Sequence, residues 1–222
     1  MTKSASEPIA VGVELTDRRA FASALAWPGW SRAGRDEASA LAALASSRDR
    51  YAAVVAAAGG ALPGRTIIDV VERRPGTATT AFGAPDVVFE RDRLPADERE
   101  AAQLSSLVEA AWRVLDAVAA TAPLGLRKGP RGGGRDRDAV IAHVVAADAA
   151  YARQIGLQVG EPAAAGRAAV EALRQAMLEA LGRTSDGSPL GGRRWPPRYA
   201  ARRIAWHALD HAWEIEDRSA PD

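Results

Sequence analysis

Apolar and polar positions change period several times along the chain, and each change marks an element. Ala10 to Leu15 and Arg19 to Leu25 alternate with a period near two, which predicts two strands joined by the polar turn Thr16-Asp17-Arg18. The stretch Trp27-Pro28-Gly29-Trp30 breaks that alternation. From Asp36, a residue suited to cap a helix, Leu41, Leu44, Arg48, Tyr51 and Val55 fall at helical spacing until about Ala58, where Gly59 and Gly60 stop the pattern. Thr66 to Val71 is apolar and β-branched and predicts a further strand. Between Arg73 and Pro95 turn residues accumulate, with room for a short strand around Val87 to Phe89. Residues 1–94 therefore read as a small α+β domain that ends in a turn-rich linker.

Beyond that point the period is helical. Leu104, Val108, Ala111, Trp112, Leu115 and Val118 form one stripe of a helix from about Asp97 to Ala120. A second helix opens at Asp136 and carries Val140, His143, Val144, Ala147 and Tyr151. A third covers about Ala163 to Leu181, with Val170, Leu173, Met177 and Leu181 aligned. A fourth begins at Pro196-Pro197, where proline suits the first turn, and carries Ile204, His207, His211 and Ile215. Four amphipathic helices joined by loops specify an all-α four-helix bundle over residues 95–222. The fold class is an α+β N-terminal domain followed by that bundle.

Composition narrows the chemistry. Lys+Arg total 29 against 28 for Asp+Glu, a net charge of +1, so no polycationic surface announces a nucleic-acid partner. The chain has no cysteine, which excludes disulfides, thiolate zinc sites and a cysteine nucleophile, and fits a reducing cytosol. The opening MTKSASEPIAVGVEL lacks the apolar stretch of a signal peptide, and no run of about 18 apolar residues occurs. A cytoplasmic protein without a membrane partner is expected. Six tryptophans, at 27, 30, 112, 195, 206 and 213, read as core anchors or pocket walls.

Histidine carries the strongest signal. There are only three. His207 and His211 lie four apart on one helix, so their rings project from one side about a turn apart, and His143 sits on the apolar stripe of another helix. Singly, each would read as a hydrogen-bonded core residue or a solvated face. Together they point into the bundle, where three unpartnered imidazoles would be costly to bury. The combination predicts a divalent metal on His143, His207 and His211, with one coordination position left for water or substrate.

Those positions also resemble a known family. AVIAHVVAADAAY and RIAWHALDHAWEIEDR, within roughly Ala96 to Arg218, resemble the DinB-like metalloprotein superfamily, which includes mycothiol- and bacillithiol-dependent isomerases and S-transferases. The resemblance implies that the three histidines hold the metal (zinc first, nickel or iron otherwise). It also implies an unusual helix order, use of an external low-molecular-weight thiol, and homodimers. RRAFASALAWPGWSRAGRDEASALAAL and the strand after it resemble the HicB-like α+β fold, which occurs in antitoxins; no DNA-binding module accompanies it here.

Around the histidines, Glu214 lies one turn past His211 and reads as an ion-pair partner of Arg218 or Arg203, an acceptor for an imidazole N–H, or a catalytic base. Asp210 flanks the same face and reads either as an imidazole orienter or as an exposed acid. The loop Arg127 to Arg135, with Arg131 and Arg135, reads either as an anion-binding turn or as a flexible basic linker. Arg193, Arg194 and Arg198 beside Trp195 read either as an anion-binding rim or as a solvated turn. Both segments feed histidine-bearing helices, so the metal position is expected to face a cleft of tryptophan and arginine. The function the resemblance implies is a metal-dependent, low-molecular-weight-thiol-dependent transferase, isomerase or hydrolase acting on a small molecule. The alternative is a non-catalytic ligand-binding or regulatory protein braced by a structural metal.

Overall fold

A computed structural model describes residues 8–129, 133–160 and 166–219. Strands β1 (Ile9–Leu15) and β2 (Ala20–Ala24) pair antiparallel, with Val11 opposite Ala24 and Leu15 opposite Ala20. The Thr16 hydroxyl closes their turn by donating to the Arg19 carbonyl at 3.0 Å. The break at Trp27–Trp30 is itself a turn, Trp30 N–H bonding the Trp27 carbonyl at 3.0 Å, and it leads into an unpredicted strand, β3 (Ser31–Gly34), antiparallel to β2. Four residues are too few to display an alternation.

The predicted helix after Asp36 is two helices, α1 (Glu37–Ser46) and α2 (Arg48–Ala57). Asp36 and Ser39 form a reciprocal capping box at the start. Ser47 sits at the break, its hydroxyl donating to the Leu44 carbonyl and accepting from the buried indole N–H of Trp30 at 3.0 Å. Strand β4 (Ile68–Pro75) then runs parallel to β1, so the sheet order is β3-β2-β1-β4. It extends four residues past the predicted end.

A short helix, α3 (Ala78–Phe82), follows, capped by the Thr77 hydroxyl. Val87 to Phe89 is not a strand, which corrects the sequence expectation. Phe89 N–H is taken by the Asp92 carboxylate at 2.8 Å, opening a 3-10 turn over Glu90–Arg93, and the ring lies where a β-carbon at Gly12 would stand 2.7 Å away. Apolar residues there fill a hole over the sheet instead of extending it.

The helical region contains α4 (Glu98–Thr121), α5 (Arg137–Gln154), α6 (Gly166–Leu181) and α7 (Pro197–Ser219). Asp97 starts α4 by accepting the Glu100 N–H at 2.8 Å. Helix α4 packs along α7, and α5 and α6 pack on each other and on that pair. No helix among the described residues is long and apolar enough to cross a membrane.

Every residue from Pro196 to Leu209 is buried, so the first part of α7 is covered all round. On the sheet side, Phe21 of β2 meets Trp206 edge-on at 5.8 Å, and Arg32 of β3 lies 4.0 Å above the Trp213 ring. Below the sheet, Arg202 pairs with the fully buried Asp92 at 2.5 Å. One apolar cluster runs from Ile9 of β1 through Leu44, Leu107 and Val144 to Ile215.

Candidate metal centre

Helices α5 and α7 run in opposite directions along a shared seam. His143 of α5 meets His207 and His211, while Tyr151, two turns further on, meets His207 and lies beneath Arg203. The positions 143, 147 and 151 thus face 211, 207 and 203, one residue per turn on each helix. Ala147, the small residue in this row, leaves the middle of the seam to the larger imidazoles.

The three histidines converge, as their spacing predicts. Their ring nitrogens lie within 4.8 Å of one another. Nε2 of His143 and Nε2 of His207 are 3.3 Å apart. Two nitrogens bound tetrahedrally at about 2.0–2.1 Å lie roughly 3.3–3.4 Å apart, so this separation suits shared ligation of one ion as well as an N–H···N bond between neutral rings. A third imidazole stands beside the pair, which a shared ion would use and an N–H···N bond would not. Ring centres of His211 stand 5.0 Å from His143 and 4.7 Å from His207.

Burial favours the uncharged donor form. Desolvation, reinforced by the charge of His211, pushes His207 down to about 2 and His143 below its ordinary value. A neutral imidazole keeps the lone pair that a metal takes. His207 is buried, and His143 and His211 are half-buried, so one side of the group meets solvent.

Glu214 orients the third imidazole. Its Oε2 lies 2.8 Å from Nδ1 of His211, and its Oε1 accepts from Arg218 at 2.7 Å. The His211 hydrogen bond, followed by Arg218, holds the carboxyl below the usual range. With Nδ1 engaged, Nε2 of His211 is the nitrogen left for an ion, the carboxylate–histidine arrangement of many metal sites. Glu214 stands outside the group of converging ligand atoms and pairs with Arg218, not with Arg203.

The other predicted residues scatter. Arg131 lies outside the described residues. Arg135 is exposed, and its charge adds to the lowering of His143 and His207. The loop before α5 docks on the end of α7, Arg127 N–H bonding the Arg218 carbonyl at 3.0 Å. There it walls a cleft of about 670 Å³ with Lys128, Gly134, Glu214 and Arg218. Asp210 orients no imidazole; it pairs with Arg32 at 3.3 Å. Arg198 turns inward to the carbonyls of Leu94 and Pro95 and to Glu100. Arg194 is exposed on a separate cleft of about 400 Å³ with Arg153 and Arg193. Its neighbour Trp195 instead packs 5.1 Å from Tyr151 and so belongs to the seam.

Two seam residues carry roles that sequence reasoning did not assign. Tyr151 was visible on the His143 stripe as an apolar contact, and Arg203 stands four residues before His207, in phase with both ligands. The Arg203–His207–His211 row was available as a signal. Compared with known protein families, curated proteins and solved structures, the chain matches none.

Proposed function

We propose that this chain is a divalent-metal-dependent enzyme whose ion sits on His143, His207 and His211 in a DinB-like four-helix bundle. The observation that carries the proposal is the convergence of three imidazoles from two helices with no carboxylate among the converging ligand atoms. Structural metal sites close their shell with a fourth protein ligand, whereas catalytic ones keep a position exchangeable. When bound, a divalent ion supplies Lewis acidity at that position and lowers the pKa of a water or thiol placed there. The protein's own part is to keep His143 and His207 neutral by burial, to fix the tautomer of His211 through Glu214, and to shape the approach with Tyr151 and Trp195. A nucleophilic thiol has to be external, since the chain has no cysteine. Zinc is the ion we favour, with nickel or iron as alternatives, because all three accept imidazole.

Metal analysis of the purified chain tests this first. Roughly one divalent ion per chain is expected, with loss from His207→Ala and His211→Ala. Wild-type protein that takes up no zinc, nickel or iron overturns the proposal. Consumption of a low-molecular-weight thiol in the presence of candidate electrophiles then tests the reaction. A tightly held metal without any thiol-dependent or hydrolytic turnover would favour the bracing role.

A further inference from the structure

Among the described residues, Arg203 is a buried cation that no hydrogen bond or ion pair joins to a carboxylate, Asp210 feeling its charge only at longer range. The residue is 9% exposed, and its Nη1 is buried with no hydrogen-bond partner among the described residues. Its guanidinium lies 4.9 Å from the Trp206 ring centre and 5.4 Å from that of Tyr151, and both rings flank His207. Stacking on rings engages the faces of a guanidinium and does not satisfy its N–H groups, of which those on Nη1 are buried without a partner among the described residues. Arginine cannot escape burial by losing its proton, so a counter-charge is required.

The neighbouring acids are committed elsewhere. Glu214 serves His211 and Arg218, Asp210 pairs with Arg32, Asp92 with Arg202, and Asp148 with Arg174, while Asp86 accepts from the Thr77 and Tyr199 hydroxyls. Three neutral imidazoles would leave the charge of a bound ion undiminished, and the carboxylate beside them, Glu214, is shared between His211 and Arg218. The missing anion has to come with the ligand.

We infer that the seam binds a small organic monocarboxylate, its carboxylate on the N–H edge of Arg203 and its body along Tyr151 toward the histidines; this rests on the metal centre proposed above. A planar carboxylate takes two parallel bonds from a guanidinium edge. Inorganic phosphate has no organic body to place against the Tyr151 and Trp206 rings that flank the guanidinium. The Tyr151 ring centre stands 5.4 Å from the Arg203 guanidinium and 5.6 Å from the His207 ring centre, so a body the size of one aromatic ring suits the step between them. The Tyr151, Trp195 and Trp206 rings suit an apolar, flat body.

Benzoate, its neutral isostere benzamide, and inorganic phosphate are the probes, titrated calorimetrically into the zinc-reconstituted full chain and into the metal-free chain. Benzoate is expected to bind, benzamide to bind at least about 10-fold more weakly, and phosphate not to displace benzoate. Arg203→Met should keep its zinc and lose benzoate affinity by about 10- to 100-fold. Equal benzoate affinity in Arg203→Met and wild type, or no benzoate binding by wild type, overturns the inference. Phosphate binding more tightly than benzoate overturns the monocarboxylate assignment. Should Arg203→Met fail to fold, Arg203→Lys decides, since it keeps the charge but not the fork; unchanged affinity there is equally fatal. A chain that takes up no zinc sinks the metal proposal alone, because benzoate titrated into metal-free protein still reads the guanidinium.

Discussion

Glu214 and Asp148 are carboxylates on the two histidine-bearing helices, and their surroundings push them in opposite directions. Glu214 is held low by His211 and then Arg218, so it stays ionised and keeps the His211 ring oriented. Replacing it by Gln should weaken metal binding by about 10- to 100-fold while leaving the thermal midpoint of the metal-free protein nearly unchanged. A metal titration that shows no change would mean His211 needs no orienting partner. Asp148 faces the other way, into the packing with α4 and α6, where burial raises it from 3.8 to about 7 against the pull of Arg174. Its folded pKa exceeds its unfolded one, so its contribution to stability is complete below about pH 4 and is lost as pH rises through about 7. Asn at this position does not titrate. The midpoint of Asp148→Asn relative to wild type should therefore shift upward between pH 5 and pH 8, and a difference that stays flat over that window would show the acid to be unperturbed.

At the scale of elements, what was legible followed from period and punctuation. The hairpin of β1 and β2 and the four long helices repeat their apolar positions over enough residues to state a period, and Asp36, Asp97 and Pro196-Pro197 mark starts that the structure keeps. The histidine cluster was legible for the same reason, since helical phase alone puts His143, His207 and His211 on inward stripes. Strand β3 and helix α3 were not, being too short to show a period, and Val87–Phe89 misled because its apolar residues serve a 3-10 turn over the sheet. Arg203 was hidden by its charge, because an arginine on an amphipathic helix reads as solvated until its burial is seen. The Trp27–Trp30 turn also does more than interrupt a strand. Gly29 has φ +91°, and a β-carbon there would stand 2.7 Å from Cδ1 of Leu209 and 3.1 Å from Cβ of Ala205. Gly29→Ala should thus cost about 2–4 kcal/mol in urea unfolding, from backbone strain and overpacking against α7. Gly64→Ala, where nothing lies within 4 Å, is the matched control and should cost little. Equal stability of the two variants would show that the turn does not press on α7.

At the scale of the molecule, α7 is shared between the sheet and the other helices, and this sets how the chain should unfold. Its first part is buried on every side. Arg202 is tied to Asp92 before α4, the Trp213 ring lies under Arg32 of β3, and Arg50 of α2 pairs with Glu216. Removing either the sheet or the other helices would expose one flank of α7, and separating the buried Arg202 and Asp92 would leave a charge alone at about 3–5 kcal/mol. The contiguous core from Ile9 to Ile215 gives no place where one part could open while the other stays intact. We therefore expect a single cooperative transition for the whole chain. Hydrogen exchange with and without zinc measures this directly. A ligand that binds only the folded state slows every amide that exchanges through global opening by the same factor, about 100-fold when free metal is about 100 times its Kd. Amides of β1 and β2 contribute no ligand, yet their slowest members should be protected by zinc as much as those of α5 and α7. Protection confined to the helices would show that the sheet opens independently of the helices that carry the three histidines.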